Sequence, residues 1–340
     1  MLQGHHGDDD VARAAWLYYV GNLSQQEVSD RLGISRFKVM RMLADARDRG
    51  MVRITVEHRT SHTLALADRL AQAFGLEEVQ VAPVPVDPAD YDYARTAVGI
   101  LAASFLERVA SGDGPLTVGL GWGRTLSTMA DNVSGVSNRN LTFVSLMGSV
   151  THASHTAPGE VCVRLAEQTG GKAVLLPAPF VADDPEACAM LLSQRLVRET
   201  LDLARGASYA IMSVGECSEG AILFESGLFT PEQMDELMRN HVVGDCCGVF
   251  YTADGAIADI PLNACTPCVK PGEMSEMDVT VCAGGVTKAT ATLAVLRAGF
   301  VTRLLVDEIL AQRLLELASA RDDAGHARPS PRAADAVSEP

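Results

Sequence analysis

Apolar residues recur at helical spacing through the first fifty residues of the chain. The segment VARAAWLYYV predicts a first helix, and Ser24 with Glu27 matches the capping box that begins a second helix. Gly33 favours a turn after it, because glycine adopts positive φ angles at little cost. Ser35 is a suitable cap for a third helix over residues 36–49. Two short helices joined by such a turn predict a helix-turn-helix.

The apolar positions around this turn suit two helices that pack across each other. Val28, Leu32 and Ile34 surround the turn, at spacings that face the third helix. The inward side of the third helix carries Val39, Met42, Leu43 and Ala46. We expect the same core to hold the first-helix aromatics Trp16, Tyr18 and Tyr19. The alternating segment MVRITVEH (residues 51–58) predicts a strand that closes the module like a wing.

Charge separates this segment from the rest of the chain. The 340 residues include 28 Lys or Arg and 43 Asp or Glu, a formal net charge of −15. Residues 31–53 nevertheless hold seven basic residues against two aspartates. A basic third helix favours entry into the major groove of DNA over the alternative, a packed helical pair with a solvated basic face. The predicted DNA contacts are Ser24, Gln25, Ser35, Arg36, Lys38 and Arg41.

Beyond residue 60 the chain alternates short β-prone runs with helix-like segments. A helical pattern over 64–74 comes first, followed by the proline-containing loop APVPVDPAD. The predicted strands cover 116–120, 141–146, 173–176, 209–214, 279–283 and 304–306. The predicted helices cover 186–204, 231–240, 288–298 and 308–320. This alternation predicts an α/β fold of the Rossmann-like type, with a mostly parallel sheet covered on both faces.

The predicted strand 116–120 ends in a glycine-rich turn, and ligands bind beyond the carboxyl ends of parallel strands. Gly121 and Gly123 are followed by Arg124 and Thr125 at the start of a helix. Accessible backbone amides, a helix N-terminus and two side-chain donors form a phosphate cradle. The spacing matches neither a Walker loop nor GxGxxG, so ATP and NAD are poor candidates. The alternative is a tight strand-to-helix turn without a ligand.

A second glycine pair, Gly284 and Gly285, precedes Lys288 in the first turn of a predicted helix. The helix dipole disfavours a cation there unless it faces an anion, although a surface lysine is the alternative. Asp245 and Asp307 lie near predicted strand ends and are suited either to hold sugar hydroxyls or to cap helices. An anion site with acidic groups nearby suits a phosphorylated sugar or polyol.

Other reactive residues carry weaker signals. Cys265 and Cys268 form a CxxC, but the sequence offers neither a second CxxC nor a paired His at finger spacing, so we predict no metal site. Eight irregularly spaced cysteines indicate reduced thiols. His152 and His155 lie in a Ser/Thr-rich loop and are expected to be solvated. With no secretory signal and no long apolar run, we expect a cytoplasmic protein without a membrane span.

Five segments, in order, resemble the SorC-type (sorbitol operon regulator) family of sugar-binding transcriptional regulators. They are QEVSDRLGISRFKVMRML, GLGWGRTL, LLPAPFV, VVGDCCGVFYTADG and CAGGVTKATATLAVLRAGFVTRLLVDE, within residues 10–318. The resemblance implies an N-terminal DNA-binding module, an effector domain similar to glucosamine-6-phosphate deaminase and ribose-5-phosphate isomerase, tetramers, operator binding and a response to a sugar or sugar phosphate. It places the phosphate loop on Gly121, Gly123, Arg124 and Thr125, and the AGGxxK lysine on Lys288. EVCVRLAEQTGG fits loosely, which leaves Glu160 and Arg164 as secondary candidates, and Cys246-Cys247 departs from the GDxxG segment.

The leading hypothesis is a transcriptional regulator of carbohydrate or polyol catabolism, without catalytic residues, cofactor or metal. Its predicted domains are a DNA-binding domain over 1–59, an effector and oligomerisation domain over 60–320, and a disordered tail over 321–340. One alternative is a sugar-phosphate isomerase or deaminase, with Asp245 or Glu160 as base and Lys288 as electrostatic aid. The other is a DNA-binding scaffold with a vestigial pocket.

Overall fold

The computed structural model describes residues 5–52, 61–84, 91–150, 157–217 and 227–322. The chain divides into two compact units, residues 1–57 and residues 58–340. Among the helices in the described ranges, none is long and apolar enough to cross a membrane.

The first unit is a small helical module. It contains α1 (His5–Ala15), a π-helical turn (Trp16–Val20), α2 (Gln25–Leu32) and α3 (Arg36–Asp48). Gly33 ends α2 with a φ of 63°, the left-handed conformation predicted for the turn. The predicted inward residues of α3 are all buried and pack with Val11, Ala14, Ala15 and Val28. Leu32 and Ile34 pack against the same core. The helix-turn-helix therefore has the expected interior.

The aromatic residues after α1 follow the prediction only in part. Tyr18 and Tyr19 are half-buried against the core, with their rings edge to face at 4.9 Å. Trp16 is 60% exposed, so its predicted place in the core is wrong. The chain widens at Trp16 into a π-helical turn, in which Gly21 N donates to Trp16 O. This turn departs from the 3.6-residue spacing on which the prediction relied.

The strand predicted over residues 51–58 falls mostly outside the described residues, which stop at Val52. Met51 and Val52 are not in a strand. Their amides donate to Ala46 O at 2.8 and 3.2 Å, which completes hydrogen bonding at the end of α3.

The second unit is an α/β domain, as predicted. Its strands are β1 (Glu78–Ala82), β2 (Leu116–Leu120), β3 (Leu141–Ser145), β4 (Lys172–Val174), β5 (Tyr209–Glu216), β6 (Val242–Cys246), β7 (Val249–Thr252), β8 (Asp278–Ala283) and β9 (Arg303–Asp307). Its helices are α4 (Ser61–Phe74), α5 (Tyr91–Val109), α6 (Arg124–Asn132), α7 (Pro158–Thr169), α8 (Pro185–Ser193), α9 (Arg195–Arg205), α10 (Pro231–Arg239), α11 (Ala289–Arg297) and α12 (Glu308–Asp322).

Seven strands form a parallel sheet in the order β1-β9-β8-β5-β2-β3-β4. The end of β5 extends past this sheet and pairs with β6, which pairs with β7; both pairings are antiparallel. Because β8, β5 and β2 are adjacent and parallel, their carboxyl ends meet at one edge, and the β6–β7 hairpin stands beside them. Such an edge is where α/β folds bind ligands.

Side chains of the central strands alternate between two cores. On β5, Ala210, Met212 and Val214 belong to one core, and Ile211 belongs to the other. The first core includes residues of α4, α9, α11 and α12, and the second includes residues of α5, α6 and α7. Helices therefore cover both faces of the sheet, which explains the nearly continuous apolar runs of its strands.

Some boundaries differ from the prediction. The segment 186–204 is two helices, because Gln194 adopts an extended conformation between α8 and α9. The edge strand β1 and the β6–β7 hairpin were not predicted. Cys247 and Gly248 have φ angles of 55° and 76°, as in a type I′ hairpin turn, and cysteine is an uncommon residue there. Residues 321 and 322 end α12 and are not part of a disordered tail; residues 323–340 lie outside the described ranges.

Candidate functional site

The outer face of α3 presents the basic residues predicted to contact DNA. Arg36, Lys38 and Arg41 are exposed, whereas the opposite side of the helix is buried. Ser35 caps α3 by accepting a hydrogen bond from Lys38 N at 3.2 Å. Its hydroxyl hydrogen remains a donor. The first turn of α3 thus combines a hydroxyl with two cations.

Ser24 and Gln25 lie at the start of α2 and help to fix its position. Ser24 Oγ accepts from Glu27 N at 3.3 Å, and Ser24 N donates to Glu27 Oε2 at 2.7 Å, which completes the predicted capping box. Gln25 Oε1 accepts from Arg36 Nε at 3.4 Å. This contact joins the starts of α2 and α3, so Gln25 orients a predicted DNA-contacting arginine.

At the sheet edge, the turn after β2 has the shape expected of an anion cradle. Gly123 is the N-cap of α6 with a φ of 124°, which favours glycine strongly. No side chain caps the helix there. Thr125 in the first turn is buried, and its Oγ1 has no hydrogen-bond partner among the described residues. A buried hydroxyl of this kind is available to a ligand.

Lys288 lies at the centre of a group of charged side chains. It ends a 3₁₀ turn (Val286–Lys288) just before α11, and its Nζ donates to Val214 O on β5 at 2.6 Å. Burial lowers the pKa of the ammonium group, and the nearby cations Arg124 and Arg95 lower it further. The carboxylates of Glu216 and Asp245 act in the opposite direction. Residues predicted after β2 and β8 are thus brought together.

Asp245 lies one residue before the end of β6, near the end of a strand as predicted. Its Oδ2 accepts a hydrogen bond from Gly248 N at 3.1 Å, and its Oδ1 has no partner in the described part of the chain. Burial raises the pKa of this carboxyl to about 6, although the Gly248 bond and the Lys288 charge oppose that rise. Asp245 therefore offers a buried acceptor beside a cation.

Asp307 caps a helix, the second of its two predicted roles. Its Oδ1 accepts hydrogen bonds from Ile309 N and Leu310 N, both at 3.0 Å, at the start of α12. Its Oδ2 accepts from Gly285 N at 2.6 Å. The buried carboxylate thus holds the glycine turn that precedes Lys288. Asp307 supports the site through the backbone.

Two members of the charged group were not predicted. Glu216 ends β5, and its Oε2 is buried without a partner among the described residues. Arg95 on α5 donates to Asp92 through Nη1 at 3.0 Å, while its Nε is buried and unpaired within the described ranges. A Cβ on Gly284 would lie 2.9 Å from Arg95 Cα. The absence of a side chain at Gly284 therefore lets α5 approach. Extending the predicted strand 209–214 by two residues would have reached Glu216.

The secondary candidates Glu160 and Arg164 are not members of this charged group. Glu160 is exposed in the first turn of α7. Arg164 forms an ion pair with Asp131, and its Nη2 donates to Ser127 Oγ at 2.9 Å. These contacts attach α7 to α6. His152 and His155 lie outside the described residues.

The cysteines are free thiols. Cys265 and Cys268 are buried, and burial raises the pKa of both thiols, which opposes metal binding through thiolate. No cluster of three or more His, Cys, Asp or Glu able to hold a metal occurs in the part of the chain that the structure describes.

Comparison with known proteins relates the chain to regulators. A family model, Sugar-bind, described as "Putative sugar-binding domain", matches residues 58–316. The erythritol catabolism regulatory protein EryD of Brucella abortus is 32% identical over 309 residues, covering 91% of this chain and 97% of that protein. A DeoR family transcriptional regulator from Listeria monocytogenes has a TM-score of 0.68 at 25% identity, over 74% of this chain and 99% of that one. Full-length SorC from Klebsiella pneumoniae has the same fold, with a TM-score of 0.66 at 23% identity, over 91% of this chain and 99% of that one.

Proposed function

The chain belongs to the SorC-type family of sugar-binding transcriptional regulators, and we propose that it binds operator DNA through α3 and releases or rearranges it when a phosphorylated sugar or polyol binds at the sheet edge. It is a regulator of carbohydrate or polyol catabolism and not an enzyme, because its full-length relatives are named as regulators. The names of these relatives thus support the regulator over the alternative considered above, a sugar-phosphate isomerase or deaminase.

One observation carries the choice of effector: charges of both signs meet where three strands end. Lys288, Arg124 and Arg95 supply positive charge beside the uncapped start of α6, which suits a phosphate group. Glu216 and Asp245 each keep a buried carboxylate oxygen without a partner among the described residues, which suits sugar hydroxyls. A phosphorylated polyol presents both kinds of group. Gly121, Gly123 and Thr125 would complete the phosphate cradle.

The proposed DNA contacts are Ser24, Gln25, Ser35, Arg36, Lys38 and Arg41. The proposed DNA-binding domain covers residues 1–59, and the proposed effector domain begins at residue 60 and includes all of α12. We also propose a cytoplasmic homotetramer, in which paired DNA-binding modules meet operator half-sites separated by about 34 Å or a multiple of it. The effector changes operator affinity only by as much as it distinguishes the DNA-bound arrangement from the other.

The test measures both activities on full-length protein. Operators are selected from random duplexes, and effectors are screened by thermal shift with erythritol, other polyols, sugars and their phosphates. Arg36→Ala with Lys38→Ala should lower operator affinity about 100-fold and leave the effector shift unchanged. Arg124→Ala should leave operator binding intact and abolish the response to the effector. Arg195→Ala on α9, where an exposed arginine pairs with Glu199, is the control for losing a surface cation.

Three outcomes would contradict the proposal. Loss of both activities in Arg124→Ala would make the turn after β2 structural. Operator binding that no sugar or polyol compound alters would favour the scaffold with a vestigial pocket. Selective binding of non-phosphorylated compounds would leave the regulatory function intact but contradict the proposal that the effector is phosphorylated.

A further inference from the structure

Two large apolar side chains stand on the basic face of α3. Phe37 is 71% exposed, the highest value among the large exposed apolar residues that the structure describes, and Met40 is 48% exposed. They are three positions apart, so they are neighbours on the helix surface. The module's own core is already filled from the other side by Val39, Met42 and Leu43. Phe37 and Met40 are therefore left for a partner.

The charges around this pair indicate what the partner is. Arg36, Lys38 and Arg41 are exposed on the same helix, and residues 31–53 hold seven basic residues against two acidic ones. A second copy of this module would bring like charges together, which is unfavourable. The partner should be a polyanion that offers apolar groups to an α-helix. The major groove of duplex DNA meets this description, because it presents the 5-methyl group of thymine.

We propose that Phe37 and Met40 read thymine in the operator through its 5-methyl group, an inference that rests on the proposed entry of α3 into the major groove. Phe37 lies in the first turn of α3, directly after the Ser35 cap and Arg36. The N-terminal residues of a reading helix contact base edges. Met40 lies about 4.5 Å further along the helix axis, at 1.5 Å per residue. Each half-site should therefore contain two thymines, on successive base pairs or one base pair apart.

The test removes one methyl group at a time. A selected operator is synthesised with single thymines replaced by uracil, which lacks the methyl group and keeps every hydrogen-bonding atom. With full-length protein, uracil at two positions per half-site should weaken binding about three- to fivefold each, the value of one buried methyl group. Uracil at other positions should have no effect.

Protein variants assign each position. Phe37→Ala should weaken binding to the thymine operator and remove the uracil effect at one position, and Met40→Ala should do the same at the other. Arg41→Ala is the matched control, because it should weaken binding to thymine and uracil duplexes alike. Phe37→Leu keeps an apolar contact and should retain part of the discrimination. Trp16→Ala, which removes another exposed aromatic of the same unit, should leave the uracil effect unchanged.

The outcomes separate this inference from the function on which it rests. If an operator is bound and every uracil substitution leaves the affinity unchanged, the proposed thymine contact is wrong. The proposed function as a DNA-binding regulator is then unaffected. If Phe37→Ala keeps operator affinity but changes the molar mass in light scattering, the pair packs between copies of the chain, and the inference fails. If no duplex is selected at any salt concentration, DNA binding itself is wrong.

Discussion

The contacts that cap α2 and α3 join residues three positions apart, whereas two contacts that shape the proposed ligand site join residues far apart in the sequence. Ser24 bonds to Glu27 and Ser35 to Lys38, each three positions on. At the sheet edge, Lys288 reaches Val214 across 74 positions, and Gly285 reaches Asp307 across 22. Local contacts form wherever the segment is helical, but the distant ones require the finished sheet.

The two regions also hold their charges differently. The cations of α3 are exposed, so water solvates them until a polyanion arrives. Lys288 is buried near Glu216, Asp245, Arg124 and Arg95. Burial there is unfavourable for every charge that lacks a partner. Substitutions on α3 should therefore change affinity with little effect on stability, and substitutions around Lys288 should change both.

Asp307 is where the largest effect is expected, because one carboxylate accepts three backbone hydrogen bonds. Asp307→Ala leaves three backbone donors without an acceptor, two of them buried, and should lower the free energy of unfolding by about 3–5 kcal/mol. Fluorescence of Trp122, which is buried against Phe180, measures this in a Trp16→Phe background.

Asp307→Asn separates the two duties of this side chain. Its Oδ1 still accepts from Ile309 and Leu310, but its amide nitrogen replaces the acceptor of Gly285 N. It should retain more stability than Asp307→Ala and lose most of the effector response. A full response in Asp307→Asn would show that the turn before Lys288 does not need this distant anchor.

The contrast explains what the sequence could predict. The capping box, the turn at Gly33 and the buried face of α3 follow from spacings within a few residues, and all are confirmed. For the sheet, the apolar runs predicted six strands and the parallel class correctly. Strand ends also pointed to Lys288 and to the turn at Gly123.

What was missed depends on contacts that no local spacing reveals. Arg95 joins the charged group because α5 packs closely against Gly284, although the two residues are far apart in the sequence. The role of Asp307 was ambiguous for the same reason, since only the fold brings it to Gly285. The predicted burial of Trp16 was wrong for a local reason, because the π-helical turn interrupts the ordinary helical period.

Replacing Asp245 should have a smaller effect on stability than replacing Asp307, and it should stabilise the protein rather than destabilise it. Its pKa is raised from 3.8 to about 6 in the folded chain, so the folded state binds the proton more tightly than the unfolded state. Its contribution to stability is most favourable below about pH 4 and is lost as the pH rises through 6. Asp245→Asn should therefore raise the free energy of unfolding by about 1–3 kcal/mol at pH 7.5, and the gain should vanish near pH 4.

Urea unfolding at both pH values measures this gain. Asp235→Asn on α10 changes an exposed aspartate and should alter stability by less than about 0.5 kcal/mol at either pH. A loss of stability in Asp245→Asn at pH 7.5 would mean that the attraction between the carboxylate and the nearby Lys288 charge outweighs the burial of the carboxylate.

Ser35 should give the smallest effect on stability, because its cap is local and exposed. Ser35→Ala should cost the first unit about 1 kcal/mol, measured by Trp16 fluorescence in a Trp122→Phe background. Ser35→Asp keeps a capping oxygen and should preserve stability, yet its negative charge should weaken operator binding about tenfold or more. If Ser35→Asp binds the operator as well as the parent chain does, the start of α3 lies away from the DNA phosphates. The unit would then bind DNA through another face, despite having the predicted fold.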